Sequence, residues 1–174
     1  MALIGPKLTP RQYLKDSSVG EWFHLVVNDL NETCKAFSQD GKQLWQIPCL
    51  ARGLYDNWRI KSGDTPPGLY KIGQVYRDYE IYGSNPKYCN RDMLAFGWYS
   101  FDLIDLEGQE TGIGRSGVMV HGGGSACGWP GAWSPFQDLH FTHGCVRVAN
   151  QNLRDKVLPL TEDGIVFVSV YQDA

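Results

Sequence analysis

The strongest constraint on the fold is a β-hairpin signature at residues 33–50, TCKAFSQDGKQLWQIPCL. Two stretches that mix apolar and aromatic residues flank Asp40-Gly41, and this pair favours the positive φ angles of a tight hairpin turn. A high content of glycine, with 20 residues, and of aromatic residues, at 13%, favours strands joined by turns over a helix bundle. The sequence therefore predicts a mainly β protein.

Further strands are predicted where short apolar stretches lie between turn residues. They are LYKIGQVY at 69–76, LAFGWYSFDLIDLEGQETG at 94–112 (a strand that runs into a turn), SGVMVHG at 116–122 and GIVFVSVY at 164–171. Residues 83–92 are predicted to form a loop.

One or two short helices complete the predicted fold. Thr9 can serve as the N-cap of a first helix, with Pro10 at its first position, and Asn150 can cap a second helix that runs to about Leu158. The sequence contains no internal repeat, low-complexity tract or Pro/Ser-rich linker. We therefore predict a single domain over residues 1–174.

Charge and hydropathy narrow the classes of partner. The net charge of −3 gives no basic footprint for nucleic acid, although a local basic pocket remains compatible with it. No apolar run approaches the roughly 20 residues that span a bilayer. The N-terminal sequence lacks a charged region followed by a continuous apolar one, as a secretory signal would have. The protein is thus expected to be intracellular, to have lost a leader, or to be exported by a route that requires none.

Two segments carry candidate chemistry, VMVHGGG at 118–124 and FTHGCVRV at 141–148. A long loop rich in glycine and tryptophan joins them, so that the end of the His121 strand can meet the segment around Cys145. A histidine can take the proton of a cysteine thiol, and Gly144 permits a tight turn whose N–H groups can hold an oxyanion. This combination is typical of acyl transfer from an amide or ester.

Structural roles remain open for the same residue types. A cysteine is often a small packing residue, and His143 can bond the backbone of a turn. The five cysteines do not form a disulfide pattern. The remaining candidates are expected to be structural: Cys34, Cys49, Cys89 and His24.

The two segments together resemble the signature of the L,D-transpeptidase catalytic domain, also called the YkuD domain. That signature is a His-Gly pair, a spacer, and Ser/Thr-His-Gly-Cys followed by an apolar residue and Arg. TPPGLYKIG at 65–73 resembles the family's Thr-Pro-x-Gly segment. The resemblance covers about residues 22–170, and it implies a β-sandwich or barrel with a long active-site loop.

The resemblance also implies roles for individual residues. Cys145 would be the nucleophile and His121 the general base, with the Gly122 carbonyl orienting the imidazole. The N–H groups of Gly144 and Cys145 would form the oxyanion hole, and His143 would line the site. The expected substrate-binding residues are Thr142 and Arg147, together with Trp129 and Trp133 of the long loop, which departs from the family pattern. The alternative for Arg147 is to support the loop that carries Cys145, and the alternative for both tryptophans is to pack the long loop against the protein. No cofactor or metal is implied.

The implied substrate is the peptidoglycan stem tetrapeptide. Cys145 would attack the carbonyl of the L-centre at position three and release D-alanine. The acyl-enzyme would then pass to an amine, which gives a 3–3 crosslink, or to water, which makes the protein an L,D-carboxypeptidase. The family implies a location in the periplasm or cell wall.

The sequence departs from the family pattern in its long spacing between His121 and Cys145, and in Asn152, where an Asp is common. Residues 114–122, GRSGVMVHG, also resemble a type VI secretion effector family related to these enzymes. Such an effector would degrade a rival's wall, and an immunity protein would then be a partner.

Two further readings stay open. A zinc-binding hydrolase would draw its ligands from this region of the chain. Its candidate ligands are His121, Cys127, His140, His143 and Cys145. A non-catalytic module would bind wall peptides in the same cleft without cleaving them.

Overall fold

The protein folds into a mainly β structure, described by a computed structural model for residues 2–15, 17, 19–124 and 130–173. Its strands are β1 (Leu3–Ile4), β2 (Trp22–Asn28), β3 (Thr33–Ser38), β4 (Gln43–Leu50), β5 (Gly68–Tyr76), β6 (Ser100–Asp105), β7 (Met119–His121), β8 (Val146–Val148) and β9 (Ile165–Asp173). The prediction of a mainly β fold is confirmed.

Eight of these strands close into a barrel. The order is β9-β2-β3-β4-β8-β7-β6-β5, and β5 pairs again with β9 to complete the ring. The last strand joins the two ends because it runs parallel to β2 and antiparallel to β5. The short strand β1 extends the sheet from β9. Of the two architectures that the sequence predicted, the structure is the barrel.

The predicted hairpin is formed by β3 and β4, which pair antiparallel. Gly41 at its turn has φ +83°, a conformation that a residue without Cβ adopts at little cost. Along β2 the residues alternate between half-buried and buried positions, as expected for a strand with one face on the core. The predicted strands at 69–76, 116–122 and 164–171 correspond to β5, β7 and β9.

All eight barrel strands contribute to one hydrophobic core. Cys34 and Cys49 are buried in it, in agreement with their expected structural role, whereas Cys89 is exposed. The boundaries of the predicted single domain, residues 1–174, stay a prediction.

Short helical segments lie outside the barrel. They are α1 (Pro10–Leu14), α2 (Asp78–Tyr82), α3 (Arg91–Phe96), α4 (Asn150–Asn152) and α5 (Leu158–Asp163), with a π-helical segment at Leu153–Val157 between the last two. Helix α1 begins as predicted, because Thr9 and Gln12 form a reciprocal capping box. In the described part of the chain, no helix has the length and apolar character needed to cross a bilayer.

The helices α2 and α3 were not predicted from the sequence. Helix α3 occupies part of the predicted loop at 83–92 and the start of the predicted strand at 94–112. Asn90 caps it by accepting a hydrogen bond from the Met93 N–H at 2.7 Å, and Met93 and Leu94 turn into the core. The strand β6 begins only at Ser100.

A helical segment follows Cys145 as predicted, but Asn150 does not cap it. Ala149 occupies the N-cap position, and Asn150 is the first helical residue. The side chain of Asn150 has other partners, because it is fully buried beside the end of β7. The helical turns continue beyond the predicted end at Leu158, to Asp163.

Candidate active site

The two motif segments are joined by a pair of parallel strands. In the pairing of β7 with β8, Val120 lies opposite Val146 and His121 lies opposite Arg147. Cys145 immediately precedes β8. Because side chains alternate between the two faces of a strand, Cys145, Arg147 and His121 belong to the same face. The sequence prediction that these segments meet is therefore confirmed by the strand register.

His121 has its ring fixed by the next residue. Its Nδ1 lies 2.8 Å from the carbonyl oxygen of Gly122. A carbonyl oxygen only accepts, so Nδ1 carries the proton and the neutral ring keeps its lone pair on Nε2. The edge-to-face ring of Phe96, with centroids 5.1 Å apart, covers the imidazole. Burial, with 3% exposure, and then the charge of Arg147 lower the pKa of His121 to about 4.

Cys145 is half-buried, and its Sγ lies 3.8 Å from the carbonyl oxygen of Gly117. Burial raises the pKa of its thiol to about 11, against smaller opposing effects from the Met119 backbone and the charges of Arg147 and Arg115. Near neutral pH the resting site therefore holds a neutral thiol and a neutral imidazole.

Thr142 holds the turn that presents Cys145. Its Oγ1 accepts hydrogen bonds from the N–H groups of Gly144 at 3.0 Å and Cys145 at 2.7 Å. The Cys145 carbonyl oxygen lies 2.9 Å from the Thr142 hydroxyl and 3.2 Å from that of Thr65. The two N–H groups that the resemblance assigns to an oxyanion hole thus have a side-chain oxygen as their acceptor in this structure.

Gly144 is required by its surroundings. It adopts φ +118°, and a Cβ at this position would overlap the guanidinium of Arg115. That guanidinium donates to backbone carbonyls on both sides of the site, among them those of Asp64 and His143. Arg115 therefore ties the Cys145 turn to the irregular segment before β5.

Arg147 contacts backbone groups, as expected for the supporting role of the two that the sequence left open, while a role in substrate binding stays a prediction. Its guanidinium donates to the carbonyl oxygens of His140 at 3.2 Å and Ala95 at 3.4 Å, and the residue is only 4% exposed. Its Nε is buried and has no hydrogen-bond partner among the described residues. Arg147 lies on the same strand face as Cys145 and His121, and its buried charge opposes the rise in the pKa of Cys145 and helps to lower that of His121.

Asn150 connects the residues that follow the His121 strand to the segment at 132–134. Its Oδ1 accepts from the N–H of Gly123 at 3.0 Å, and its Nδ2 donates to the carbonyls of Ala132 at 2.9 Å and Ser134 at 2.8 Å. A Cβ on Gly122 would overlap Oδ1, which accounts for the glycine after His121. Asn150 is thus a positioning residue, although its sequence context suggested only a helix cap.

A cavity of about 470 Å³ opens beside the thiol. Its polar lining residues include Lys61, Ser62, Arg115, His143 and Cys145. The Nδ1 of His143 lies 3.1 Å from Ser62 Oγ, so His143 lines the site where the sequence predicted it. The volume falls in the range of small-ligand pockets.

Trp133 is not brought to this cavity. Its side chain is buried, donates from Nε1 to the Gly83 carbonyl at 2.8 Å and packs against Tyr82 and Trp98. It borders a separate cavity with Tyr88 and Cys89. This arrangement is the loop-packing alternative for Trp133, while Trp129 and Cys127 lie outside the described residues.

No group of three or more His, Cys, Asp or Glu side chains within the described ranges is arranged to hold a metal ion. Four of the five candidate zinc ligands belong to those ranges, and the fifth, Cys127, does not. The described residues therefore give the zinc reading no support.

Comparison with known proteins identifies the family. The family model of the L,D-transpeptidase catalytic domain, YkuD, matches residues 23–157. The chain belongs to this family. No curated protein sequence matches the chain.

Solved structures resemble this L,D-transpeptidase domain in fold. The helical cell shape determining protein Pgp2 from Campylobacter jejuni has 19% sequence identity and a TM-score of 0.57, over 90% of this chain and 51% of that one. Bd1075 from Bdellovibrio bacteriovorus has 16% identity and a TM-score of 0.54, over 87% of this chain and 49% of that one. This domain spans about half the length of both proteins.

Several residues at the site of this L,D-transpeptidase domain were missed by the sequence analysis. Thr65 lies in the TPPG segment, whose resemblance to the family predicts no role for it, and its hydroxyl lies 3.2 Å from the Cys145 carbonyl oxygen. Arg115 lies in GRSG, whose likeness to effectors likewise predicts no role for it. Lys61 and Ser62 lie in an irregular stretch that carries no motif.

Proposed function

We propose that this protein is a cysteine-dependent acyltransferase that cleaves peptidoglycan stem tetrapeptides between the L-centre of residue three and D-alanine four. The observation that carries the proposal is the pairing of β7 with β8, which gives Cys145 and His121 a common face beside an open cavity. Membership of the L,D-transpeptidase family supports the choice of substrate.

In the proposed first step, His121 Nε2 accepts the thiol proton as the sulfur attacks the substrate carbonyl. The low pKa of His121 and the high pKa of Cys145 make an ion pair unfavourable before attack. Proton transfer therefore accompanies formation of the carbon–sulfur bond. The Gly122 carbonyl then stabilises the imidazolium, because it accepts a hydrogen bond from Nδ1–H.

Collapse of the tetrahedral intermediate breaks the amide bond. The imidazolium returns the proton to the leaving amine, D-alanine departs, and the acyl group stays on Cys145 as a thioester. An incoming amine or a water then gives a proton to His121 and attacks the thioester. When this second intermediate collapses, the carbon–sulfur bond breaks and the imidazolium returns the proton to the sulfur, which restores the thiol. The amine yields a 3–3 crosslink and the water yields a tripeptide.

The oxyanion of each intermediate is proposed to bind the N–H groups of Gly144 and Cys145. Both groups donate to Thr142 Oγ1 in the resting site. The oxyanion must therefore share these donors with the hydroxyl or displace it. Such donors typically contribute about 10²–10³ each in rate.

The proposed substrate also indicates where the protein acts and what it binds. We propose that the protein acts on stem peptides in the periplasm or cell wall. The alternative is that water is the acyl acceptor. The protein would then be a carboxypeptidase, or a wall-degrading effector that has an immunity protein as its partner.

Mass spectrometry of disaccharide-tetrapeptide muropeptides tests the proposal, with Cys145→Ala as the matched control. The transpeptidase predicts 3–3 linked dimers that the control does not form. Tripeptides with free D-alanine would identify the carboxypeptidase reaction instead. Unchanged substrate with both proteins would reject the enzyme and favour the binding module.

A further inference from the structure

The cavity beside Cys145 is positively charged, although the protein carries a net charge of −3. Among the described residues, its lining includes the side chains of Lys61 and Arg115 and no Asp or Glu. The imidazole of His143 adds a polar group at its rim. A pocket that gathers cations in an acidic protein favours an anionic group over a neutral one.

The charge of Arg115 is not paired with a carboxylate. Its guanidinium donates to the backbone carbonyls of Trp58, Gly63, Asp64 and His143. Carbonyls satisfy the hydrogen bonds but leave the positive charge in place. None of the ion pairs among the described residues includes Arg115 or Lys61.

Two buried carboxyl groups, those of Glu110 and Asp64, interact with the charge of Arg115. Burial raises the pKa of Glu110 to about 7, so this carboxyl carries only part of its negative charge at neutral pH, whereas Asp64, with a pKa of about 6, is mostly ionised there. Neither residue belongs to the described lining of the cavity. The charged side chains that line the cavity itself are therefore Lys61 and Arg115.

We propose that this cavity is a carboxylate subsite in which Lys61 and Ser62 bind, and Arg115 attracts, a free carboxylate of the stem peptide. The inference rests on the proposed function and specifies its substrate. A tetrapeptide offers this chemistry from two sources, a side-chain carboxylate on residue three and the terminal carboxylate of residue four. Cys145 itself lines the cavity, so a carboxylate bound there would lie beside the attacking residue.

Lys61 is the residue that tests the subsite. Arg115 packs against Gly144 and holds four carbonyls, so its loss would disturb the turn as well as the charge. Lys61 is exposed and forms no ion pair with a carboxylate among the described residues. Lys61→Gln removes its charge, Lys61→Arg keeps it, and Lys42→Gln removes an exposed charge from the β3–β4 turn.

Calorimetric titration of a soluble tetrapeptide into Cys145→Ala protein measures binding without turnover. Lys61→Gln in this background should weaken binding about 3- to 10-fold, the range for an ion pair with a charged hydrogen bond. Lys61→Arg should lose less than about 2-fold, and Lys42→Gln should bind as the background does. The same titration is repeated with two peptides, one amidated at the side chain of residue three and one at the C-terminus.

The effect of Lys61→Gln should disappear with one of the two amidated peptides, and that peptide identifies the carboxylate. Equal affinity of Lys61→Gln and its background for the parent peptide would overturn the subsite. An undiminished effect on both amidated peptides, or no saturable binding, would overturn it too. Failure of the proposed function is separate: it is a wild-type protein that leaves the peptide uncut while binding still depends on Lys61.

Discussion

The hydroxyl of Thr142 contacts both the backbone N–H and the backbone carbonyl of Cys145. Thr142 Oγ1 accepts from the Cys145 N–H at 2.7 Å, and the hydroxyl lies 2.9 Å from the Cys145 carbonyl oxygen. Gly144 donates to the same oxygen at 3.0 Å. The threonine of the THGC motif thus fixes the backbone on both sides of the sulfur. It also occupies the donors on which the proposed oxyanion hole depends.

Thr142→Val should lower kcat about 10- to 100-fold, because it removes the hydroxyl and keeps the shape of the side chain. Without that acceptor the Gly144 and Cys145 N–H groups lose the geometry that presents them together. Thr142→Ser is the matched control and should keep most of the activity. Steady-state cleavage of a tetrapeptide measures both variants. A faster Thr142→Val enzyme would mean that the hydroxyl only competes with the oxyanion.

The thiol of Cys145 should alkylate slowly near neutral pH. Its pKa of about 11 leaves little thiolate, and the neutral His121 does not create more. The rate of iodoacetamide labelling, followed by peptide mass spectrometry, should therefore keep rising beyond about pH 9. At about pH 6, His121→Ala should label as slowly as wild type, with the exposed Cys89 as the internal comparison. Fast labelling near pH 6 that His121→Ala abolishes would reveal a resting ion pair.

The parts of the fold that were predicted depend on local sequence. Asp40-Gly41 specifies its turn by backbone conformation alone, and the apolar stretch of β9 marks a buried strand wherever its partners lie. Closure of the barrel is different, because β9 must find both β2 and β5 at long sequence separation. The apolar pattern of β9 does not indicate which two strands it pairs with.

The same distinction applies to the site. The motifs predicted that the segments around His121 and Cys145 meet, and β7 and β8 pair them. Lys61 and Ser62 were missed because their segment has no regular pattern and is shaped by distant contacts, such as the one from Arg115 to the Asp64 carbonyl. Asn150 was misread as a cap because the acceptors and donors of its side chain come from other elements.

Asn150→Ala should reduce the free energy of unfolding by about 3 kcal/mol or more, since it leaves buried backbone groups at Gly123, Ala132 and Ser134 without partners. Asn152→Ala is a matched control in the same helix, where the side chain is only half-buried, and should change stability by less than about 1 kcal/mol. Urea denaturation measures both. Similar losses in the two variants would mean that the helix, rather than the Asn150 contacts, sets the cost.

Glu110 should make stability depend on pH in a way that Glu110→Gln removes. Burial, followed by the nearby charge of Asp105, raises the pKa of its carboxyl from 4.5 to about 7, and the residue is 4% exposed. The folded state therefore holds the proton more tightly than the unfolded state does. Its contribution to stability is fully present below about pH 4.5 and is lost as pH rises through about 7.

The Glu110→Gln side chain does not titrate. The free energy of unfolding of this variant, relative to that of wild type, should therefore increase by about 2–3 kcal/mol between about pH 4.5 and pH 8.5. Taking the difference between the two proteins cancels the opposite effect of His24 and His121, whose lowered pKa values cost stability as pH falls. Urea denaturation at both pH values measures this gain, with the exposed Glu21→Gln as the control. An equal difference at the two pH values would show that folding does not raise the pKa of Glu110.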